Sequence, residues 1–307
     1  MSRIIVAVGS RSEEQLSQES LARVSGYAAS LVADEDIACR ATFMDDILYT
    51  IGEDTFEAYD TRNDLLLNDV ACILLRGHGI VSRTDEAFYL STFCEQNHIS
   101  CPTSYAVYYP ATKVAQAIIF REVGVPFLRT LYIANPKKLI RYAEERFGYP
   151  YILKDGRGER GESNYLIRSL EQAQAALQAE PTIDFIAQEF CPNDRDYRLL
   201  VMGDSHLIIE RRGPSDSHLN NTSQGGKATL RPDDLPQSII DQAHVVMKRL
   251  GLLLAGIDVI PHLETGKYYF LEINTQPQVQ TGLLLEEKQQ LMREFLVKAA
   301  DAKRASA

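Results

Sequence analysis

The sequence predicts an α/β protein whose C-terminal half turns to α+β, and three observations carry that reading. Over residues 1–105, apolar strand-like runs alternate with a segment of helical periodicity and a second helical stretch. Further on, DYRLLVM and SHLIIER meet at Gly203-Asp204, a two-residue hairpin signal. A second hairpin follows between Gly256 and Pro277, where GIDVI and YYFLEIN flank a polar turn.

In order, RIIVAVG (Arg3 to Gly9) reads as a strand buried on both faces. Leu16, Leu21, Val24, Tyr27, Ala28 and Leu31 recur at spacings near three and four, which predicts a helix over Glu13 to Val32. Ile37 to Phe43 and Asp69 to Leu75 are the next strands, the latter ending at the turn Arg76-Gly77-His78-Gly79. A helix over Asp85 to Asn97 and a short strand at Ile99 to Pro102 complete an open, mostly parallel unit ending near Tyr105. Ligands of such sheets sit at the carboxyl ends of the strands. Gly9-Ser10-Arg11-Ser12 has neither a dinucleotide nor a P-loop pattern and reads as a helix entry. Arg76, directly after a buried strand, either holds an anionic group or closes the strand end.

A helix opens at Pro110 to Lys113 and stops at Gly124-Val125-Pro126, where glycine and the residue before proline oppose continuation. A strand over Thr130 to Ala134 and a helix over Pro136 to Phe147 precede the apolar strand Tyr149 to Lys154. The loop after it, Asp155 to Ser163, carries glycines at 156, 158 and 161, so its amides can approach an anion closely. A lysine ending a strand just before such a loop suits a phosphate, or else it snorkels from a long hairpin turn. Asn164 to Arg168 is a strand, Leu170 to Gln178 a helix, and Asp184 to Phe190 a strand. After the Gly203-Asp204 hairpin comes a long polar loop from Gly213, then a helix over Asp233 to Gly251 and a last helix over Glu286 to Lys303.

The 307 residues are 45% apolar and 24% charged, ordinary for a water-soluble globular chain. A net charge of -10 argues against a non-specific nucleic-acid binder. No apolar run reaches the roughly 18–20 residues a membrane span needs, and MSRIIVAVGS reads as a first strand, not a signal peptide. Five cysteines without C-x-x-C spacing fit reduced thiols and a cytoplasmic location.

The second hairpin carries the chemistry. With its turn centred near Glu264 and Thr265, Asp258 falls across from Glu272, while Glu272 and Asn274 share a face. Facing carboxylates repel; a hard divalent cation bound by Asp258, Glu272 and the Asn274 amide oxygen would offset that repulsion, and the alternative is a surface hairpin whose polar face is merely wet.

From Lys113 to Gly282 the order of motifs resembles the ATP-grasp superfamily, most closely the RimK-like ligases that add glutamate to a protein tail. The run is strand–lysine–glycine loop, Q-E-F, a D-x-R hairpin, E-R-R, a polar loop ending in two glycines, G-I-D-V and L-E-I-N. The resemblance implies an ATP-grasp fold behind an N-terminal α/β domain (1–105), with a central subdomain (106–185) bearing the glycine loop and a C-terminal subdomain (186–307) bearing the metal. It implies ATP contacts from Lys113, Lys154, Gly158 and Gly161, an adenine slot at Gln188, Glu189 and Phe190, and a ribose contact from Asp196. Arg211 and Asn221 would face the transferred phosphoryl group, Asp258, Glu272 and Asn274 would hold magnesium or manganese, and Arg76 would bind a substrate carboxylate. The implied activity is amide formation through an acyl phosphate, with ADP and phosphate released and an amino acid, peptide or protein tail as acceptor. Its alternative is a non-catalytic ATP-binding scaffold or sensor of the same fold. The sequence leaves acceptor, amine and oligomeric state open, a homo-oligomer included. Departures lie at Arg157, Glu159 and Arg160 in the glycine loop, at Leu219-Asn220-Asn221, and at Thr275-Gln276-Pro277.

Overall fold

The computed structural model describes residues 4–9, 37–77, 83–105, 112–158, 163–213, 220 and 226–305. The helix expected over 13–32 lies outside them.

Ile4–Gly9 (β1), Ala38–Phe43 (β2) and Cys72–Leu75 (β6) form a parallel sheet in the order β2-β1-β6. Side chains alternate between its faces. Val6, Val8, Ile73 and Leu75 pack on the helix Thr84–Gln96 (α1), through Ala87, Leu90 and Phe93. Ile5, Ala7, Cys72 and Leu74 face the other way and share a core with Leu200, Met202, Leu254 and the last helix, Leu285–Ala305 (α6). The N-terminal unit is thus welded to the C-terminal sheet by apolar burial. Between β2 and β6 the chain adds an antiparallel meander that the sequence reading leaves blank: Ile47–Ile51 (β3), Phe56–Asp60 (β4) and Leu65–Leu66 (β5). Its first turn closes where Gly52 N–H donates to the Thr55 carbonyl at 2.8 Å. The strand expected at Ile99 to Pro102 reduces to one bridge, Cys72 to Ser100.

The helix Lys113–Val123 (α2) starts where the Thr112 hydroxyl accepts the Ala115 N–H and stops at Gly124 in the left-handed region, φ 76°. Thr130–Leu131 (β7), Tyr151–Asp155 (β8), Asn164–Ile167 (β9) and Phe185–Glu189 (β10) make the central sheet, in the order β7-β10-β8-β9. The helices Pro136–Phe147 (α3) and Leu170–Ala179 (α4) cover it, burying Leu139, Ala143, Ala173 and Ala176 against Tyr151, Leu153 and Phe185. The strand Phe185–Glu189 therefore belongs wholly to the central sheet, although a boundary at 185/186 divides it.

Asp196–Met202 (β11), Ser205–Arg212 (β12), Lys227–Leu230 (β13), Leu254–Pro261 (β14) and Tyr268–Asn274 (β15) form an antiparallel sheet, β13-β12-β11-β14-β15. One face buries Tyr197, Leu199, Val201, Ile257 and Ile273 under α2 and the helix Gln237–Leu250 (α5). The sequence reading groups α2 with the central subdomain, but Ile119 and Phe120 pack in this C-terminal core. Gln116 fixes α2 there: its carboxamide donates to the Ile273 carbonyl at 3.1 Å and accepts from the Ile273 N–H at 2.9 Å. The same outer edge of β15 is met at Phe270, whose N–H donates to the Pro126 carbonyl at 2.8 Å.

Candidate nucleotide and metal site

Residues directly opposite on antiparallel strands share a face. Asp196 pairs with Arg211, Arg198 with Asp258, Asp258 with Glu272, and Gly256 with Asn274. All six polar side chains thus project from one face of the sheet. Further along β11 and β14 that same face carries Leu200, Met202 and Leu254 beneath α6. The polar cluster is where the apolar cover ends.

The expected opposition of Asp258 and Glu272 is present, and a register shift follows it at once, with Val259 pairing Phe270. The Asp258 carboxylate is not bare. Arg198 Nε and Nη2 each donate to it at 2.8 Å, and Arg211 Nη2 approaches at 2.9 Å. Burial pushes the Asp258 carboxyl up, but the two guanidinium groups outweigh it and hold it well below the usual carboxylate range. Arg211 Nε donates to Asp196 Oδ1 at 2.5 Å, so Asp196, only 6% exposed, is spent on orienting that arginine. The ribose contact implied by the resemblance would need that carboxylate to turn away. Arg198 has no role in the sequence reading, although the D-x-R spacing puts it on the face of Asp196. Its partner became visible only with the pairing of β11 and β14, strands more than fifty residues apart.

Glu272 is less enclosed. Its side chain is 34% exposed, with Lys113 Nζ 4.0 Å away. Asn274 Oδ1 accepts from Gln276 N–H at 2.9 Å. Two carboxylates and an amide oxygen on facing strand positions are hard oxygen donors, and one of the carboxylates is held ionised. This donor set fits magnesium, which takes few protein ligands and completes its shell with water and phosphate. Among the described residues no three His, Cys, Asp or Glu side chains form a protein-only metal cage.

The central sheet supplies the cations. Lys154, 8% exposed on β8, donates to Gln188 Oε1 on β10 at 2.8 Å, and Gln188 Nε2 donates to Thr130 Oγ1 at 3.1 Å. Ile186 lies opposite Lys154, so Gln188 is its diagonal neighbour on the same face. Burial, and then the Lys113 charge, lower the Lys154 ammonium to about 8, while Glu272 and Asp258 pull it up. Lys154, Lys113, Glu272 and Asp258 are therefore within electrostatic reach of one another, across the two sheets.

Lys113 ties α2 to the glycine loop. Its N–H donates to the Gly156 carbonyl at 2.8 Å, and its Nζ donates to the Gly158 carbonyl. Both positions leave little room for a side chain. A Cβ on Gly156 would come 3.0 Å from the Asp184 carbonyl oxygen, and one on Gly158 would come 2.8 Å from Asp155 Oδ2. Gly161 and Asn221 lie outside the described residues.

Gln188, Glu189 and Phe190 stand at the end of β10, but the Gln188 carboxamide is engaged by Lys154 and Glu189 is paired twice with Arg129, at 2.7 and 3.0 Å. Backbone groups and the half-buried Phe190 are what this stretch can offer a flat ring. Arg76, 6% exposed, donates through Nη2 to the Pro277 carbonyl at 2.8 Å. Gln276 joins the same junction, donating to the Leu75 carbonyl at 3.3 Å and accepting from Gly77 N–H at 3.2 Å. The end of the N-terminal sheet is thereby docked onto the segment that follows Asn274.

The RimK-like ATP-grasp domain model matches residues 112–289, more than half of the chain. A D-alanine–D-alanine ligase from Acetivibrio thermocellus is 26% identical over 184 residues, 54% of this chain and 49% of that protein. The chain spans about half the length of the curated relatives it matches. Among solved structures, the macrocyclase MdnC from Microcystis aeruginosa MRC, bound with precursor peptide MdnA, is similar with a TM-score of 0.66 and 17% identity, covering 96% of this chain and 99% of that one. The ATP-grasp ligase PsnB, complexed with a phosphomimetic variant of its minimal precursor, Mg and ADP, gives a TM-score of 0.70 at 16% identity, covering 97% and 99%. These structural likenesses show the fold.

Proposed function

The chain belongs to the RimK-like ATP-grasp family, and from that premise we propose that it is an ATP-dependent carboxylate–amine ligase. A substrate carboxylate oxygen attacks the γ-phosphorus and the bond to the β–γ bridging oxygen breaks, giving ADP and an acyl phosphate. An amine then attacks the acyl carbon, phosphate leaves, and the amine proton passes to solvent or base. The observation that carries this reading is the meeting of two opposed sets of groups. Lys154 comes from the central sheet, Arg211, Asp258 and Glu272 come from one face of the C-terminal sheet, and Lys113, at the head of α2, touches both sides through Gly158 and Glu272.

Phosphoryl transfer needs positioned cations more than it needs a covalent nucleophile. Lys154 and Lys113 hold the nucleotide phosphates, and Gly156 and Gly158 let the loop backbone approach them. Arg211, fixed by Asp196, faces the phosphoryl group in transfer, and the family resemblance gives Asn221 the same role. Phe190 and the adjoining backbone of Gln188 and Glu189 line the base. Magnesium held by Asp258, Glu272 and Asn274 would neutralise phosphate charge as it shifts onto ADP, and manganese suits the same donors. Arg76 receives the substrate carboxylate. The similar structures hold precursor peptides, which supports a peptide as the acceptor.

ADP release with magnesium-ATP across amino acids, dipeptides and peptide tails, with product masses, tests the proposal. One substrate pair should accelerate ADP release and give a product lighter than its parts by one water. Nucleotide binding with no substrate-dependent ADP release would favour the scaffold reading instead.

A further inference from the structure

The last helix brings a lysine to this site that the roles above leave unused. Lys288 on α6 is 8% exposed, and its Nζ makes one long hydrogen bond, 3.4 Å to the Thr281 carbonyl. It forms no salt bridge among the described residues. Burial lowers its pKa, Arg198 lowers it further, and only the neighbouring Glu287 opposes them. An ammonium kept in the interior beside a guanidinium, with no carboxylate against it, is costly unless an anion arrives.

Other cations surround the same segment. Arg76 bonds the Pro277 carbonyl at 2.8 Å. Arg198 Cδ passes 3.4 Å from where a Cβ on Gly256 would stand, and Pro277 Cβ lies 3.3 Å from that point. Lys288 Nζ lies 3.9 Å from the corresponding point on Gly282. Arg198 and Arg211 have Asp258 and Asp196 as partners, whereas Lys288 has no carboxylate in salt-bridge contact among the described residues. A side chain at Gly256 would crowd Arg198 against Pro277.

We propose that Lys288 is a binding residue for the substrate carboxylate, taken up between α6 and Arg198 beside the Pro277–Gly282 segment. The inference rests on the ligase reading of the same site. An acid that must lie next to a triphosphate is repelled by it, and a fixed ammonium lacking its own counter-ion offsets that repulsion. The carboxylate can belong to an acidic side chain or to a peptide terminus.

The test uses full-length protein saturated with magnesium and a non-hydrolysable ATP analogue, and reads the melting temperature against three probes at matched ionic strength. One peptide carries a glutamate side chain and an amidated end, one has a free C-terminus and no acidic side chain, and the third is the neutral glutamine amide of the first. At least one carboxylate peptide should raise Tm by about 2 °C or more, the neutral one should not, and whichever acts identifies the source of the carboxylate. Lys288→Met should abolish that shift and Lys288→Arg should keep it, with analogue affinity by calorimetry unchanged within about twofold. Without ligands, Lys288→Met should melt at or above the wild-type temperature, because a charge has left the interior. A Met variant that keeps the shift, one that melts lower when empty, or a wild type that does not distinguish the peptides overturns the inference. A wild type that fails to bind the magnesium–nucleotide analogue overturns the ligase reading and this inference together.

Discussion

Asp258 and Glu272 face each other in register, yet their replacement should have opposite consequences for the empty protein. The Asp258 side chain is 10% exposed and takes contacts of 2.8–2.9 Å from Arg198 and Arg211, whose side chains are 24% and 7% exposed. Removing one partner of a buried pair costs about 3–5 kcal/mol. Asparagine keeps one acceptor and Arg211 keeps Asp196, so Asp258→Asn should cost about 2–4 kcal/mol, or roughly 3–6 °C in Tm. Glu272 is 34% exposed and 4.0 Å from Lys113. Discounted for solvent screening, Glu272→Gln should stay within about 0.5 kcal/mol, a change of about 2 °C or less. Both variants should weaken magnesium–nucleotide affinity about tenfold or more, which is about 1.4 kcal/mol or more. Calorimetry in the presence and absence of magnesium and a melting series on the metal-free proteins give both quantities. Equal losses of Tm in the two variants would refute the division of labour derived from the exposures. Unchanged magnesium–nucleotide affinity in Glu272→Gln would remove Glu272 from the metal set.

Lys154 carries a pH dependence. Its folded value of about 8 lies below that of an unfolded lysine, so the unfolded chain binds more protons between about pH 8 and 10.5 and stability should rise with pH through that window. Affinity for the phosphates should fall about tenfold between pH 7 and 9 as the ammonium is lost, and a flat profile, or one that Lys154→Arg reproduces, counts against the assignment. Arg76→Ala should chiefly raise KM for the carboxylate substrate, while Arg211→Ala should chiefly lower kcat by about 10²-fold or more. An Arg76→Ala variant that loses only thermal stability would make that arginine a strut on Pro277. Gln116→Leu removes both hydrogen bonds to the Ile273 backbone, at about 0.5–1.5 kcal/mol each, so a lowered Tm is expected and an unchanged one would mean that the two bonds add nothing net to stability.

The hairpin was legible because a turn of fixed centre sets a register. A centre near Glu264-Thr265 brings Asp258 to within one residue of Glu272, and the register shift between Asp258 and Val259 sets the two directly opposite. Lys154 was legible as a strand end before a glycine loop. Arg198 was not, since a strand's own sequence does not say which distant strand lies beside it, and only the pairing with β14 gives this arginine its carboxylate. The resemblance implies a ribose contact for Asp196, whereas pairing with β12 turns its carboxylate onto Arg211. The meander from Ile47 to Leu66 escaped because its strands are short and half exposed, so ILYTI and FEAYD lack the continuous apolar run that marks β1. The helix after Lys113 was found and its packing was not: Ile119 and Phe120 declare an apolar face without declaring which sheet it meets.

The division of the cores shows how the site is partitioned. Ile5, Ala7, Cys72 and Leu74 of the N-terminal sheet share one apolar cluster with Leu200, Met202 and Leu254 of the C-terminal sheet and with Met292, Phe295 and Leu296 of α6. Interiors packed at this density do not slide without losing contacts, so Arg76, Arg198, Asp258 and Lys288 stand in a fixed relation. The central sheet closes its own cluster around Tyr151, Leu153 and Phe185, and among the described residues none of that cluster comes from either neighbour. Lys154 and Gln188 ride on that separate body. Its polar links to the rest include Lys113 with Gly156 and Gly158, and a small cluster at Leu128, Cys191 and Ile260 adjoins it. A nucleotide held as proposed, by Lys154 on one side and Asp258 on the other, would therefore bridge two cores. The groups proposed to hold the carboxylate all belong to one of them. Binding the acid asks nothing of the central sheet, whereas holding phosphates requires both bodies, and that is why substitutions at Arg76 or Lys288 should leave nucleotide affinity intact while those at Lys154 should not.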